Sequence, residues 1–139
     1  MIVAVDTNIL LDILIPNPSF LESSRRTLNQ YVEKAPLIIG EVVYAELAAQ
    51  FDDELLFKTF LVSTGIRQVP SGNGALWTAS RSWKRYNEHK KRKFLQSRRV
   101  LADFLVGAHA AVHAGNLITR DQGFYRTYFQ NLKIIDPGR

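Results

Sequence analysis

Short strand-forming runs alternate with helical periods along the whole chain, and this alternation restricts the fold more than any other feature. Ile2–Val5 and Leu37–Ile39 are brief, wholly apolar and rich in branched residues, as expected of strands covered on both faces. Ile66–Val69, Leu117–Thr119 and Leu132–Ile135 are read as three more strands. Strands of this kind, separated by helices, imply right-handed βαβ units. The expected fold is α/β, with a central parallel sheet of four to five strands and helices on both faces. At 139 residues without repeat or linker, the chain is expected to form one domain over 1–139.

The helical segments are bounded by ordinary signals. Thr7 and Asn8 open an amphipathic stretch, Ile9–Ile15, which Pro16 and Pro18 end. Ser19 with Glu22 has the spacing of a capping box, predicting a helix from Phe20 to about Lys34. Gly40 releases the chain into a helix through Val43, Leu47 and Phe51, and another runs from about Glu54 to Ser63. Ser71–Gly74 reads as a turn. The next helix aligns Leu76, Ala79, Trp83 and Tyr86 on one face, expected to pack in the core or at an interface, with Arg81, Lys84, Arg85 and Arg92 on the other side. Val100–Ala114 is a further helix, stopped by Gly115 and Asn116.

Charge then narrows the function. The net charge is +5, and nine of the 18 Lys and Arg residues fall between Arg81 and Arg99, with Glu88 as the sole acid among them. A charge run of this kind is often only a solvated face, but its scale favours a polyanion, and Arg81, Lys84, Arg85 and Arg92 are expected to contact RNA phosphates or an acidic partner. Four acids lie outside this stretch: Asp6 and Asp121 just past strands, Glu46 and Asp103 on helices. In open parallel sheets ligands bind beyond the carboxyl ends of strands, near the point where strand order reverses. Carboxylates gathered there lose hydration and repel one another. A hard divalent cation with a preference for oxygen removes both penalties. The absence of cysteine excludes disulfides and thiolate zinc sites. No stretch approaches a membrane span, and MIVAVD lacks a basic leader, so a cytoplasmic protein with no membrane association is expected.

The segments VDTNILLD, AEL around Glu46, RRVLADFLVGAHA and LITRDQGFYRTYFQNLKIIDP resemble, in that order and nearly end to end, PIN-domain proteins. The nearest likeness is to the toxin nucleases of VapBC-type toxin–antitoxin modules. The resemblance implies a three-layer α/β/α fold and an endoribonuclease dependent on Mg²⁺, with Mn²⁺ as a substitute. It also implies a cognate antitoxin and a homodimer. By position it makes Asp6, Glu46, Asp103 and Asp121 the acidic catalytic set, with Thr7, Asn8 and Thr119 as supporting polar neighbours. Asp6 and Asp103 are assigned as direct metal ligands. Asp121 is assigned to ligate the metal or hold one of its waters, and Glu46 to orient or deprotonate the attacking water. One position departs from the family pattern: many relatives carry Ser or Thr six residues before the glutamate, where this chain has Gly40.

Three of these acids have an ordinary alternative. Asp6 and Asp121 suit helix caps, and Glu46 a solvated helix face, although its apolar neighbours suggest partial burial. Asp12, Glu41 and Asp136 are read as surface, cap or turn residues. His109 and His113 have zinc-like spacing, yet HAAVH lacks the glutamate of HExxH, which favours packed or hydrogen-bonded roles. A phosphatase of the haloacid-dehalogenase type would need an acid at Asn8, and a Rossmann domain a glycine-rich first turn. A non-catalytic RNA-binding or interaction module on the same fold is the remaining rival.

Overall fold

In the computed structural model, residues 1–93 and 99–138 are described, with backbone alone for residues 90–93. The chain runs β1 (Val3–Val5), α1 (Thr7–Leu14), α2 (Leu21–Val32), β2 (Leu37–Ile39), α3 (Glu41–Ala48) and α4 (Glu54–Thr64). It continues through β3 (Ile66–Gln68), α5 (Gly72–Lys93), α6 (Leu101–His113), β4 (Asn116–Ile118), α7 (Gln122–Tyr128) and β5 (Lys133–Ile135). All five strands are parallel, in the order β3-β2-β1-β4-β5, and the helices flank this sheet as an α/β/α sandwich. Successive strands step outward from β1 in one direction as far as β3. The chain then returns to the other side of β1 for β4 and β5. The order therefore reverses between β1 and β4, where Val5 faces Ile118 and the Asp6 N–H donates to the Ile118 carbonyl at 3.0 Å.

Covered strands need no alternation, and β1 and β2 show none: every residue from Val3 to Val5 and from Leu37 to Ile39 is buried. Helix α5 buries only part of its expected face. Its buried face is Ala75, Ala79, Ser82 and Tyr86, whereas Leu76 and Trp83 stand exposed. Small side chains on that face let α5 lie closely along α6. Three boundaries also differ. The Ser19–Glu22 box does not form, because Asn17 Oδ1 takes the Ser19 N–H at 3.0 Å and Glu22 pairs with Arg25 instead. Helix α3 stops at Ala48, before Phe51, whose ring packs on Phe57 and Phe60. The turn expected at Ser71–Gly74 is already the start of α5, with Gly72 at φ +74°.

Helix α6 is fixed from both sides. Phe104, fully buried, meets Phe124 edge-on at 5.0 Å and also packs with Tyr86, Tyr128 and Phe129. Gly107 makes room for the Phe129 ring, which a Cβ at that position would approach to 2.3 Å. On the sheet side, the buried His109 donates through Nε2 to the Val69 carbonyl at 2.7 Å, and His113 to the Ser71 carbonyl at 2.6 Å. Glu41 completes this joint by accepting from the Ser71 N–H at 3.1 Å and from its hydroxyl. Both histidines thus serve as hydrogen-bonded packing, as HAAVH without its glutamate suggested.

The same joint explains Gly40. A Cβ there would lie 2.8 Å from His109 Cδ2, so the imidazole occupies the space a serine or threonine would need. The expected outcome is that Gly40→Ser costs about 1–3 kcal/mol in denaturant unfolding. Part of that loss should vanish when His109 is also alanine, and strictly additive effects in a double-mutant cycle would contradict this packing account.

Candidate acidic active site

Asp6 leaves β1 at the reversal of strand order and is 8% exposed. Its Oδ1 accepts the Thr7 N–H at 2.7 Å and its Oδ2 accepts the Thr119 hydroxyl at 2.7 Å, with Asn8 Nδ2 more distant at 3.4 Å. The Tyr125 hydroxyl also donates to this carboxylate. Burial pushes the Asp6 pKa up, and the nearby Asp121 adds to the rise. Hydrogen bonds from Thr119, Thr7 and Tyr125 oppose the shift without cancelling it. Asp6 does cap α1, but a cap needs neither this burial nor three side-chain donors.

Thr119 follows β4 and bridges the two strand ends. Its hydroxyl donates to Asp6 and accepts the Asp121 N–H at 3.0 Å. Thr7 makes the corresponding link on the other side, donating its hydroxyl to Glu46 Oε1 at 2.7 Å. Glu46 itself is exposed on α3, more so than its apolar neighbours suggested. Asp103 stands in the first turn of α6, where its Oδ2 accepts the Val100 N–H at 3.3 Å. Tyr125 sits among the acids: burial raises its pKa far above the usual phenol range, and the fields of Asp6, Asp103 and Asp121 raise it further. The phenol remains a neutral donor.

Asp121 is engaged by a residue that sequence reasoning passed over. Arg99 grips it with both arms, Nη1 to Oδ2 at 2.6 Å and Nη2 to Oδ1 at 3.1 Å. Burial works against the Arg99 charge, but Asp121 and then Asp103 outweigh it and hold the guanidinium more firmly protonated than usual. Arg99 marks the end of the basic run just before ADFLVGAHA, which is the one signal that singles it out. Tyr125 was legible only as the residue one helical turn beyond Asp121.

The structure therefore brings Asp6, Asp103 and Asp121 to one rim and ties Glu46 to it through Thr7. Among the described residues, no three acidic or imidazole groups stand close enough to clasp an ion as they are. Asp121 is turned onto Arg99, and Asp103 caps its own helix. The donor set, all carboxylate oxygen with hydroxyl support, nevertheless suits a hard divalent cation rather than zinc.

Asp12 corrects the surface reading. It is 2% exposed, takes both arms of Arg120 at 2.9 and 2.8 Å and accepts the Ser24 hydroxyl at 2.7 Å. The Arg120 guanidinium also stacks on Phe20 at 3.9 Å. This buried pair fastens the β4–α7 connection, and hence Asp121, to α1 and α2.

On α5, Arg81 and Lys84 are exposed, and Arg81 stacks over Trp77 at 4.2 Å. Arg85 donates to the Tyr128 carbonyl at 3.1 Å. Trp77, Arg81, Arg85 and Tyr128 line an open cleft of about 430 Å³. The Arg92 side chain lies outside the described residues. His89 is half-buried against the Tyr128 hydroxyl at 3.1 Å. Among the described residues no helix is long and apolar enough to cross a membrane.

The PIN domain family model matches residues 3–130. Among solved structures, the chain is similar to VapBC2 from Rickettsia felis bound to a DNA fragment from its promoter, with a TM-score of 0.69 and 18% identity over 98% of each chain. It is also similar to FitAcB from Neisseria gonorrhoeae, with a TM-score of 0.68 and 19% identity over 98% of each chain. VapBC-1 from nontypeable Haemophilus influenzae gives 0.67 and 17%, over 99% of this chain and 98% of that one. At these identities the likeness is one of fold. No curated protein matches the sequence.

The raised Asp6 pKa has a thermodynamic consequence. Above its ordinary value of 3.8 the folded state holds this proton more tightly than the unfolded chain does. Stability is therefore lost as pH rises through the interval between the two values, and the loss persists at neutral pH. In metal-free buffer Asp6→Asn is expected to melt higher than the parent protein at neutral pH, with the difference shrinking toward acid. A variant that melts lower at neutral pH would contradict the burial account.

Proposed function

From the premise that the chain belongs to the PIN-domain family, we propose that it is an endoribonuclease dependent on Mg²⁺, with Mn²⁺ as a substitute, and the toxin partner of a toxin–antitoxin pair. The observation that carries this reading is the set of carboxylates at the reversal of strand order, with buried Asp6 at its centre. Asp6, Asp103 and Asp121 are the residues that would hold the cation. When bound, such an ion offsets charge on the scissile phosphate and lowers the pKa of water.

The protein's own groups have separable tasks. Thr119 and Thr7 orient the Asp6 carboxylate, one on each oxygen. Thr7 simultaneously steadies Glu46, which is exposed to solvent and free to accept a proton from an attacking water. Tyr125 keeps its proton and remains a fixed donor at the base of the site. Arg81, Lys84 and Arg85 on α5 offer a track for RNA phosphates whose affinity would fall steeply with salt.

Apolar side chains left exposed on α4 (Leu55, Leu56, Val62) and α5 (Leu76, Trp77, Trp83) support protein partners, an antitoxin and a second copy of the chain. The solved relatives from Rickettsia felis and Haemophilus influenzae are VapBC assemblies, in keeping with that proposal.

The test is cleavage of a mixed structured-RNA pool in Mg²⁺, Mn²⁺ or EDTA. Discrete products are expected only with metal, and Asp6→Asn or Asp103→Asn should lower the rate on the order of 10²-fold or more. Metal-dependent cleavage undiminished in both variants would place the chemistry elsewhere.

A further inference from the structure

We infer that Arg99 is a resident counter-cation of the acidic site, and that its guanidinium and a divalent metal ion compete for the carboxylate of Asp121. The inference rests on the proposed metal centre and adds to it a residue of this chain that opposes metal loading.

Arg99 is held at three points. Its backbone N–H donates to the Tyr86 hydroxyl at 2.8 Å, which anchors the residue at the α5–α6 joint. Its guanidinium lies 4.5 Å over the Phe124 ring, and its two terminal nitrogens take both oxygens of Asp121. A planar fork on a planar carboxylate takes one lone pair on each oxygen and leaves only the outward-facing pair for a metal ion. A magnesium-sized ion sits about 2.1 Å from its oxygen ligands. A cation held by Asp121 would be repelled by the guanidinium, a like charge already paired with the same carboxylate.

The two cations are therefore alternatives at this carboxylate. The field of Asp103 also acts on Arg99, so the arginine partly neutralises two of the three proposed ligands. The pair is about one-third exposed on each side, which leaves the side chain free to swing away while its backbone anchor stays. This arrangement accounts for the acids standing together without converging among the described residues: the site is drawn around the arginine.

The experiment is Mn²⁺ binding to the full chain at fixed ionic strength, by calorimetry and by the electron paramagnetic resonance signal of free Mn²⁺. Parent protein, Arg99→Gln and Arg99→Lys are compared, with Asp6→Asn as the control that locates the ion. Arg99→Gln is expected to bind about three- to tenfold more tightly, with Arg99→Lys in between because it keeps the charge without the fork. In EDTA, Arg99→Gln should melt lower than the parent, and saturating Mn²⁺ should close that gap. If Arg99→Gln does not fold, the tighter binding expected of Arg99→Lys carries the same test.

Unchanged or weaker Mn²⁺ binding in the variants, with normal binding by the parent, would overturn the competition and leave the metal centre standing. Failure of every folded form to bind Mn²⁺ would overturn both.

Discussion

A carboxylate buried at the reversal of strand order is the constraint on which the rest of the structure depends. Asp6 loses most of its hydration beside β1, and a charge so placed is costly unless neighbours compensate. Each neighbour answers to that requirement. Thr119 at the end of β4, the first N–H of α1 and the Tyr125 hydroxyl all donate to it, and their positions follow from β1 pairing with β4. The donors leave its pKa raised, so a negative charge at Asp6 still carries a cost. That residual cost is the physical basis for proposing a cation there.

Around this centre the fold uses two kinds of fastening. Aromatic packing on Phe104 holds α5, α6 and α7 in mutual register, which sets Asp103 near Asp121. Buried polar joints do the rest: Asp12 with Arg120 and Ser24, and His109 and His113 with the carbonyls beyond β3. Breaking one member of such a joint leaves a buried partner unsatisfied, so these residues are expected to tolerate substitution poorly. Gly40 belongs to the second kind of fastening. An imidazole from α6 fills the space that any side chain at that position would need.

Much of this was legible in the sequence. Apolar strands too short to be anything but buried, alternating with helical periods, dictated a parallel sheet. The order of VDTN, AEL, ADFLVGAHA and TRDQGFY pointed to the family and to the acids that the fold gathers. What was not legible depended on long-range partners. The buried face of α5 was only half legible, because Ala75 and Ser82, small enough for close helix packing, are less conspicuous than Leu76 and Trp83. Asp12 looked like a surface residue because its partner, Arg120, is more than a hundred positions away. Arg99 was hidden within a basic run that suggested RNA contact, although its guanidinium turns inward to Asp121.

Paramagnetic broadening of backbone amide resonances by substoichiometric Mn²⁺ tests the central claim most directly, because it locates the ion without requiring a substrate. The account predicts that Thr7, Asn8, Thr119, Asp121 and Tyr125 broaden first, together with the start of α6 around Asp103. Broadening centred on exposed acids such as Asp52, Asp53 and Glu54, with the rim around Asp6 unaffected, would contradict it.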